Sequence, residues 1–194
     1  DPATTAAAKA AIDAANPNNQ GGDDNNEGGG STTPDGTYFL SFDGMSAANK
    51  INYTNGFTLQ ITGNESKDIS NGSKLTIDGN EYTSMKVSNG AQNTLTLPEG
   101  KIASGITFYS YVNKDAATER DSYWKEVAGV TYDTPDAAGG IFASYKDAAN
   151  PDKREYSFGE NRLNAITFTN TGEQCCYVIK IDITTGSEVN GIQA

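Results

Sequence analysis

The chain has no histidine, and its 194 residues include only two cysteines, Cys175 and Cys176. Histidine is the most frequent general base and metal ligand, so its absence excludes His-dependent catalytic triads and most zinc sites. Two adjacent cysteines make neither a disulfide framework nor a metal motif, and we expect two free thiols. Alternation along a strand places Cys175 inside with Tyr177 and Ile179. It places Cys176 outside with Lys180.

Basic residues are also scarce: 14 Lys and Arg stand against 25 Asp and Glu, for a net charge of −11. An acidic body with dispersed lysines offers no basic face for phosphates, which argues against nucleic-acid binding. The same charge argues against docking on anionic lipid headgroups. No run approaches the ~18 apolar residues that a membrane helix needs, so we expect no membrane-spanning segment. These features leave the oligomeric state open.

Aromatic residues are missing from residues 1–36, so all 10 Tyr, 7 Phe and 1 Trp lie in 37–194. Residues 3–15 are rich in alanine, a strong helix former, but offer no apolar face to bury. Residues 16–36 are polar, acidic and rich in glycine and asparagine, which is typical of a flexible linker. We therefore predict an Ala-rich helical or disordered segment and linker over 1–36, followed by one folded domain over 37–194.

The predicted domain is dominated by short segments in which apolar and polar residues alternate. Such alternation, with Gly, Asn, Asp or Pro between the segments, predicts about ten antiparallel strands. The segments are 38–42, 57–62, 74–77, 81–87, 94–97, 105–112, 123–127, 140–145, 154–158, 166–169 and 175–184. We predict an all-β, two-sheet antiparallel β-sandwich of the jelly-roll type. An immunoglobulin-like sandwich is the second choice, because about ten strands exceed its usual seven to nine.

Three stretches resemble a known family: SMKVSNGAQNTLTLPEG (84–100), GITFYSYVN (105–113) and SYWKEVAGVTY (122–132). They are similar to a galactose-binding-like jelly-roll module of exported Bacteroidetes proteins that handle polysaccharides, often attached to pectate-lyase-like domains. The resemblance covers roughly residues 74–183. It implies a non-catalytic, envelope-exposed, carbohydrate-binding role. The 194 residues contain no segment that we predict to be a catalytic domain, and the resemblance supplies no ligand-binding residue.

The expected location is outside the cytoplasm. The sequence begins at Asp1 without an initiator methionine, as after removal of a signal peptide or at a boundary within a longer chain. Together with the resemblance, this predicts an exported protein of the cell surface or periplasm. A lipoprotein, anchored through a removed N-terminal signal, is one form this would take.

Aromatic side chains on the predicted strands are the candidate ligand contacts. If Ile106 and Phe108 face the core, alternation turns Tyr109 and Tyr111 away from it. The same rule sets Trp124 opposite Val127. Flat aromatic faces stack on sugars, although the same rings could instead pack beneath a loop. With polar neighbours that could bind hydroxyl groups, the candidate ligand-binding residues are Trp124, Tyr109, Tyr111, Asn113, Arg120 and Glu126.

No residue is predicted to be catalytic, because no pair stands out among the 25 acids of the chain. Oxygen ligands for calcium are plentiful at 64–71 and 133–136, but neither stretch has the spacing of a dedicated calcium loop. Turn formation explains both stretches without a metal. We predict no cofactor, with a structural calcium ion as the alternative.

Three functions are therefore compared. The leading hypothesis is a non-catalytic module that binds polysaccharide or oligosaccharide at the bacterial cell envelope, for capture or degradation. The alternative is a structural or protein-interaction module of an envelope complex, and an enzyme comes third. An exposed Trp124 in a groove would favour the first function. A flat apolar patch or an uncovered sheet edge would favour the second, and two carboxylates converging in a cleft the third.

Overall fold

The protein is described by a computed structural model that covers residues 35–42, 50–62, 70–77, 79–88, 90–112, 122–144, 152–159, 161, 163–171 and 175–187. Residues 1–34 of the predicted tail and linker (1–36) lie outside these residues, so the proposed domain boundary stays a prediction. Within the described residues, no helix has the length and apolar character needed to cross a bilayer.

Twelve strands are assigned in the described part of the chain. In chain order they are β1 (Gly36–Ser41), β2 (Lys50–Asn52), β3 (Thr58–Thr62), β4 (Ser70–Ile77), β5 (Asn80–Val87), β6 (Gln92–Thr96), β7 (Lys101–Val112), β8 (Trp124–Val127), β9 (Val130–Thr131), β10 (Asp152–Ser157), β11 (Ala165–Asn170) and β12 (Cys176–Ser187). All named strand pairs are antiparallel.

The strands form two sheets of six strands each. The first sheet has the order β10-β7-β12-β5-β4, with β1 also paired to β12, and the second has the order β2-β3-β6-β11-β8-β9. From β5 to β12 the chain crosses to the other sheet at every connection except β8 to β9. This alternation wraps two Greek keys into a jelly roll, which confirms the predicted two-sheet β-sandwich.

The core lies between the sheets and follows the predicted alternation in the first strands. On β1 and beside it, Tyr38, Leu40 and Phe42 are buried, whereas Phe39 is 40% exposed. The next segment repeats the pattern. Its buried residues are Phe57, Leu59 and Ile61. Burying one face of each strand removes its apolar side chains from water, which is the main favourable term in folding.

The hairpin predicted over 74–87 is confirmed. β4 and β5 pair with Ile77 opposite Asn80, so their connection is a tight turn. Gly79 has a φ of 78°, a left-handed conformation that glycine adopts without steric cost. The Asp-Gly sequence therefore has the predicted role at Gly79, while Asp78 lies outside the described residues.

The prediction of a strand over 140–145 is wrong. Residues Asp136–Ala138 form a 3-10 turn, and in the described part of this segment only Ser144 makes a β-bridge, to Val112. The φ angles of Gly139 and Gly140 are 91° and 102°, which turn the backbone away from an extended path. Strands β2 and β9 were not predicted, because three and two residues are too short to show alternation.

The predicted orientation of the two cysteines is also wrong. Cys176 and Val178 face the core, while Cys175 and Tyr177 are half-exposed. The reason is a register shift between Val178 and Lys180 where β12 pairs with β7. The extra residue reverses the alternation, so that Ile181 and Ile183 return to the core after it. Both cysteines are free thiols, as predicted.

Thiol reactivity tests this corrected orientation. Burial raises the pKa of Cys176, so its reactive thiolate form is suppressed. In native protein, a Cys175→Ser variant should show no fast thiol towards an aromatic disulfide reagent. The matched Cys176→Ser variant should keep a fast one. Fast labelling of the Cys175→Ser variant without denaturant would contradict the position of the bulge.

Candidate functional site

Trp124 is buried in the core, so the expectation of an exposed aromatic platform at this residue is wrong. Its ring centroid lies 4.8 Å from that of Phe108, 5.2 Å from Phe142 and 5.3 Å from Phe168. The rings of Phe142 and Phe168 meet the Trp124 ring edge to face, an arrangement that aromatic pairs favour, and the Phe108 ring is tilted against it. Trp124 therefore joins the two sheets instead of facing a ligand.

A second bulge explains the reversed orientation of Trp124. On β11, Thr169 pairs with Glu126, but the next residue, Asn170, pairs with Trp124. Lys125 is thus the extra residue of a β-bulge. Trp124 and Val127 then face the core together, although strict alternation over three residues would place them on opposite faces.

Glu126 lies on the outer face of the second sheet. Its Oε1 atom accepts hydrogen bonds from the hydroxyl of Thr167 at 2.7 Å and from the backbone N–H of Gly129 at 3.3 Å. These contacts fix the β8 to β9 turn. The residue therefore sits on the opposite side of the sandwich from Tyr109 and Tyr111. Asn113 and Arg120 lie outside the described residues.

Tyr109 and Tyr111 do turn away from the core, as predicted. They pair across the first sheet with Lys180 and Tyr177 of β12. Tyr109 is half-buried and Tyr111 is only 3% exposed. Burial raises the pKa of Tyr111, and the Asp152 carboxylate raises it further. Tyr111 and Ile179 form a small apolar cluster, against which Tyr82 and Tyr109 pack.

A group of aromatic side chains thus covers the outer surface of the first sheet. We call this surface the aromatic face and define it by Phe39, Tyr82, Tyr109, Tyr111 and Lys180. The rings of Phe39 and Tyr82 meet edge to face, with centroids 5.9 Å apart. Four strands, β1, β5, β7 and β12, contribute to it. Phe39 is 40% exposed, Tyr82 and Tyr109 are half-buried and Tyr111 is buried, so three of the four rings are partly accessible to a ligand.

Lys180 is held between two rings of the aromatic face. Its ammonium nitrogen lies 4.1 Å from the ring centroid of Tyr109 and 5.1 Å from that of Phe39. The same nitrogen is 3.5 Å from Oδ2 of Asp182. Cation–π attraction to the two ring faces orders this long side chain. The result is a partly exposed aromatic surface with an ammonium donor and a carboxylate acceptor beside its rings, which suits a ligand with C–H faces and hydroxyl groups.

A cleft of about 560 Å³ lies at the edge of the sandwich, between β9 and β10. Tyr132 and Tyr156 line it, with ring centroids 5.9 Å apart. Burial raises the pKa of both tyrosines. The Tyr156 hydroxyl donates to the carbonyl of Ala138 at 3.3 Å. The cleft is large enough for a small ligand. Whether it can bind one depends on whether its polar groups still have free hydrogen-bond donors or acceptors.

Arg154 commits all of its donors inside this cleft. Its Nε and one terminal nitrogen bind the Asp152 carboxylate at 2.9 and 2.7 Å. The remaining N–H groups bond to three carbonyls of the 3-10 turn segment, those of Ala138, Gly140 and Ile141, at 3.3, 2.9 and 3.0 Å. A guanidinium has five N–H donors, so none is left for a ligand. We infer that the hydrogen bonds of Arg154 fix this turn segment to β10.

The described residues contain no group of three or more His, Cys, Asp or Glu side chains that could hold a metal ion. The calcium alternative at 133–136 coincides with a turn, in which the Thr134 hydroxyl accepts a hydrogen bond from the N–H of Ala137 at 3.3 Å. Most of the other stretch, 64–69, lies outside the described residues. The predictions of no catalytic residue and no cofactor stay predictions.

No protein-family model and no curated protein sequence matches the chain. Several solved structures are similar to it, among them the following two. One comes from work on glycan recognition in the Ruminococcus flavefaciens cellulosome, at 16% identity and a TM-score of 0.38, over 77% of this chain and 93% of that chain. The other is the catalytic unit of a thermostable GH87 alpha-1,3-glucanase from Streptomyces thermodiastaticus, at 15% identity and a TM-score of 0.36, over 70% of this chain and 28% of that chain. Function is therefore judged from this chain's own side chains.

Replacing Trp124 tests its position in the core. Trp124→Ala should lower the free energy of unfolding by about 3–5 kcal/mol, because it leaves a cavity among Phe108, Phe142 and Phe168. Trp124→Phe should cost less, since the buried indole N–H makes no hydrogen bond within the described part of the chain. Urea denaturation measures both changes, and native Trp emission should be blue-shifted and resist iodide. Red-shifted, quenchable emission with a small loss for Trp124→Ala would contradict the core position.

Proposed function

We propose that the chain is a non-catalytic carbohydrate-binding module of the bacterial cell envelope. The module would serve the capture or the degradation of polysaccharide. The observation that supports this best is the aromatic face, where Phe39 is 40% exposed and Tyr109 is half-buried on a surface outside the core. Pyranose rings present apolar C–H faces that pack on aromatic rings, while their hydroxyl groups need polar partners.

The geometry of the aromatic face suits such a ligand. Phe39 and Tyr109 lie on either side of Lys180, so two rings and one ammonium group share a short path across β1, β12 and β7. Because Lys180 is already ordered by the rings and by Asp182, binding would lose little side-chain entropy. A polysaccharide or oligosaccharide is the proposed ligand, with no cofactor and no catalytic residue.

The finer identity of the module is part of the same proposal. It rests on the resemblance of residues 84–100, 105–113 and 122–132 to a galactose-binding-like module of exported Bacteroidetes proteins. Under this proposal the protein is exported to the cell surface or periplasm, with lipid anchoring as the means of attachment. The strongly acidic surface, with a net charge of −11, favours neutral glycans over polyanionic ones.

One observation favours the alternative of a protein-interaction module. Strand β10 lies at the end of the first sheet and pairs only with β7 among the described strands. An unpaired sheet edge is a template for association with another chain. This edge lies beside the cleft, and on the outer face of the sheet its Lys153 is directly opposite Tyr109 of the aromatic face.

Substitutions on the aromatic face test the proposal. A glycan array and affinity electrophoresis, with neutral polysaccharides and pectin as probes, should identify a ligand for the full chain. Phe39→Ala and Tyr109→Ala should each weaken that binding by tenfold or more, because a ring that anchors a ligand contributes roughly 1–2 kcal/mol or more. Lys180→Met should weaken it as well.

The matched control is Thr169→Ala, on the outer face of the second sheet, which should leave the affinity unchanged. Each variant's melting temperature should be recorded, so that loss of binding is not confused with loss of fold. Absence of binding to every glycan tested would overturn the proposal. Binding that survives both ring substitutions would remove the aromatic face from it.

A further inference from the structure

Among the described strands β10 pairs along one edge only, and the backbone groups of its other edge can be assigned residue by residue. The N–H of Phe158 donates to the carbonyl of Ser104 at 3.0 Å, in the same register that sets Arg154 opposite Phe108. In an antiparallel ladder, alternate residues bond to the partner strand. The even-numbered residues of β10 therefore bond to β7. The N–H and C=O groups of Lys153, Glu155 and Ser157 point away from it.

The side chains along this edge are exposed and paired with each other. Those of Lys153 and Glu155 are 50% and 64% exposed and form an ion pair. Both residues have odd numbers, so both lie on the outer face of the first sheet. Among the described residues, no backbone or side-chain hydrogen bond occupies the outward groups of Lys153, Glu155 or Ser157.

Charge decides which partner fits this edge. Edge strands commonly carry charged side chains of one sign, especially lysines, which repel a second copy of the strand. Here Lys153 and Glu155 lie two residues apart on one face. Three registers of an antiparallel second copy place these residues opposite each other or opposite themselves. Centring the pair on Lys153 opposes two lysines, and centring it on Glu155 opposes two glutamates. Both are unfavourable, because like charges directly opposite each other destabilise a sheet.

Centring the pair on Arg154 gives the opposite result. Lys153 of one copy then faces Glu155 of the other, and the arrangement repeats by symmetry, which gives two complementary charge pairs. The two Arg154 side chains lie on the inner face, where each is already bound to Asp152 and to three carbonyls of its own turn segment. The outward backbone groups of Lys153 and Glu155 pair in this same register.

We propose that the protein forms a two-fold dimer in which β10 pairs antiparallel with β10 of a second copy, centred on Arg154. A two-fold contact of this kind is self-complementary, because the same patch serves on both sides. The pairing joins the two first sheets into one continuous sheet. Since few residues take part, the dimer is a weak one that forms with rising concentration.

This dimer would also affect ligand binding, a consequence that rests on the proposed function. Residues directly opposite each other in a sheet point to the same side, so the two-fold axis is perpendicular to the sheet. Both aromatic faces therefore lie on one side of the dimer. A long polysaccharide could contact both, and its apparent affinity would exceed that for a short oligosaccharide.

Charge reversal gives the sharpest test. Sedimentation velocity of the full chain, from micromolar to millimolar concentration, should show reversible dimerisation that weakens with added salt. Lys153→Glu alone and Glu155→Lys alone should each weaken dimerisation by about tenfold or more. An equal mixture of these two variants should restore it as a heterodimer, since every opposing pair is again Lys with Glu. The double variant with both changes should dimerise like the original chain.

A monomer at all concentrations would overturn the proposal, and so would dimerisation that is insensitive to both reversals. Failure of the mixture to associate would exclude the Arg154-centred register. The melting temperature of each variant should stay unchanged, because both side chains are exposed. Binding of a short oligosaccharide should be equal in the monomeric Glu155→Lys variant and the original chain, because Glu155 lies opposite Thr107 and not opposite Tyr109. A failed dimer and a failed glycan site therefore give different results.

Discussion

The pairing of β12 is the constraint on which the rest of the structure depends. β12 pairs with β7 along one edge, while its other edge is divided between β5 and β1. The change from β5 to β1 falls near the bulge between Val178 and Lys180. Because this bulge reverses the alternation, Cys176 enters the core on one side of it and Lys180 leaves the core on the other.

The aromatic face follows from that one irregularity. Since β1 and β5 share the same edge of β12, Phe39 and Tyr82 come within ring contact although they lie far apart in sequence. Lys180, turned outward just after the bulge, reaches the rings of Phe39 and Tyr109. β-Bulges often occur beside functional sites, where they redirect a side chain. The second bulge, at Lys125, has the opposite effect and turns Trp124 into the core.

Alternation in the sequence was enough to predict the fold class, most of the strands and the outward position of Tyr109. It failed where a bulge adds a residue, because the pattern then changes phase without any change in composition. Trp124 and Cys176 were misplaced for this reason. The partners of Tyr109 were missed for a different one: Phe39, Tyr82 and Lys180 look like ordinary strand residues until strand order and register bring them together. The segment 140–145 looked extended, but Arg154 holds part of it in a turn.

The central claim is that ligand binds on the aromatic face and not in the cleft beside β10. Titration of isotope-labelled protein with the best oligosaccharide, followed by NMR of backbone amides, tests it directly. We predict that the perturbed amides cluster on β1, β7 and β12 around Phe39, Tyr109 and Lys180. Perturbations centred on Tyr132 and Tyr156 of the cleft, or on the outer face of the second sheet, would contradict the claim.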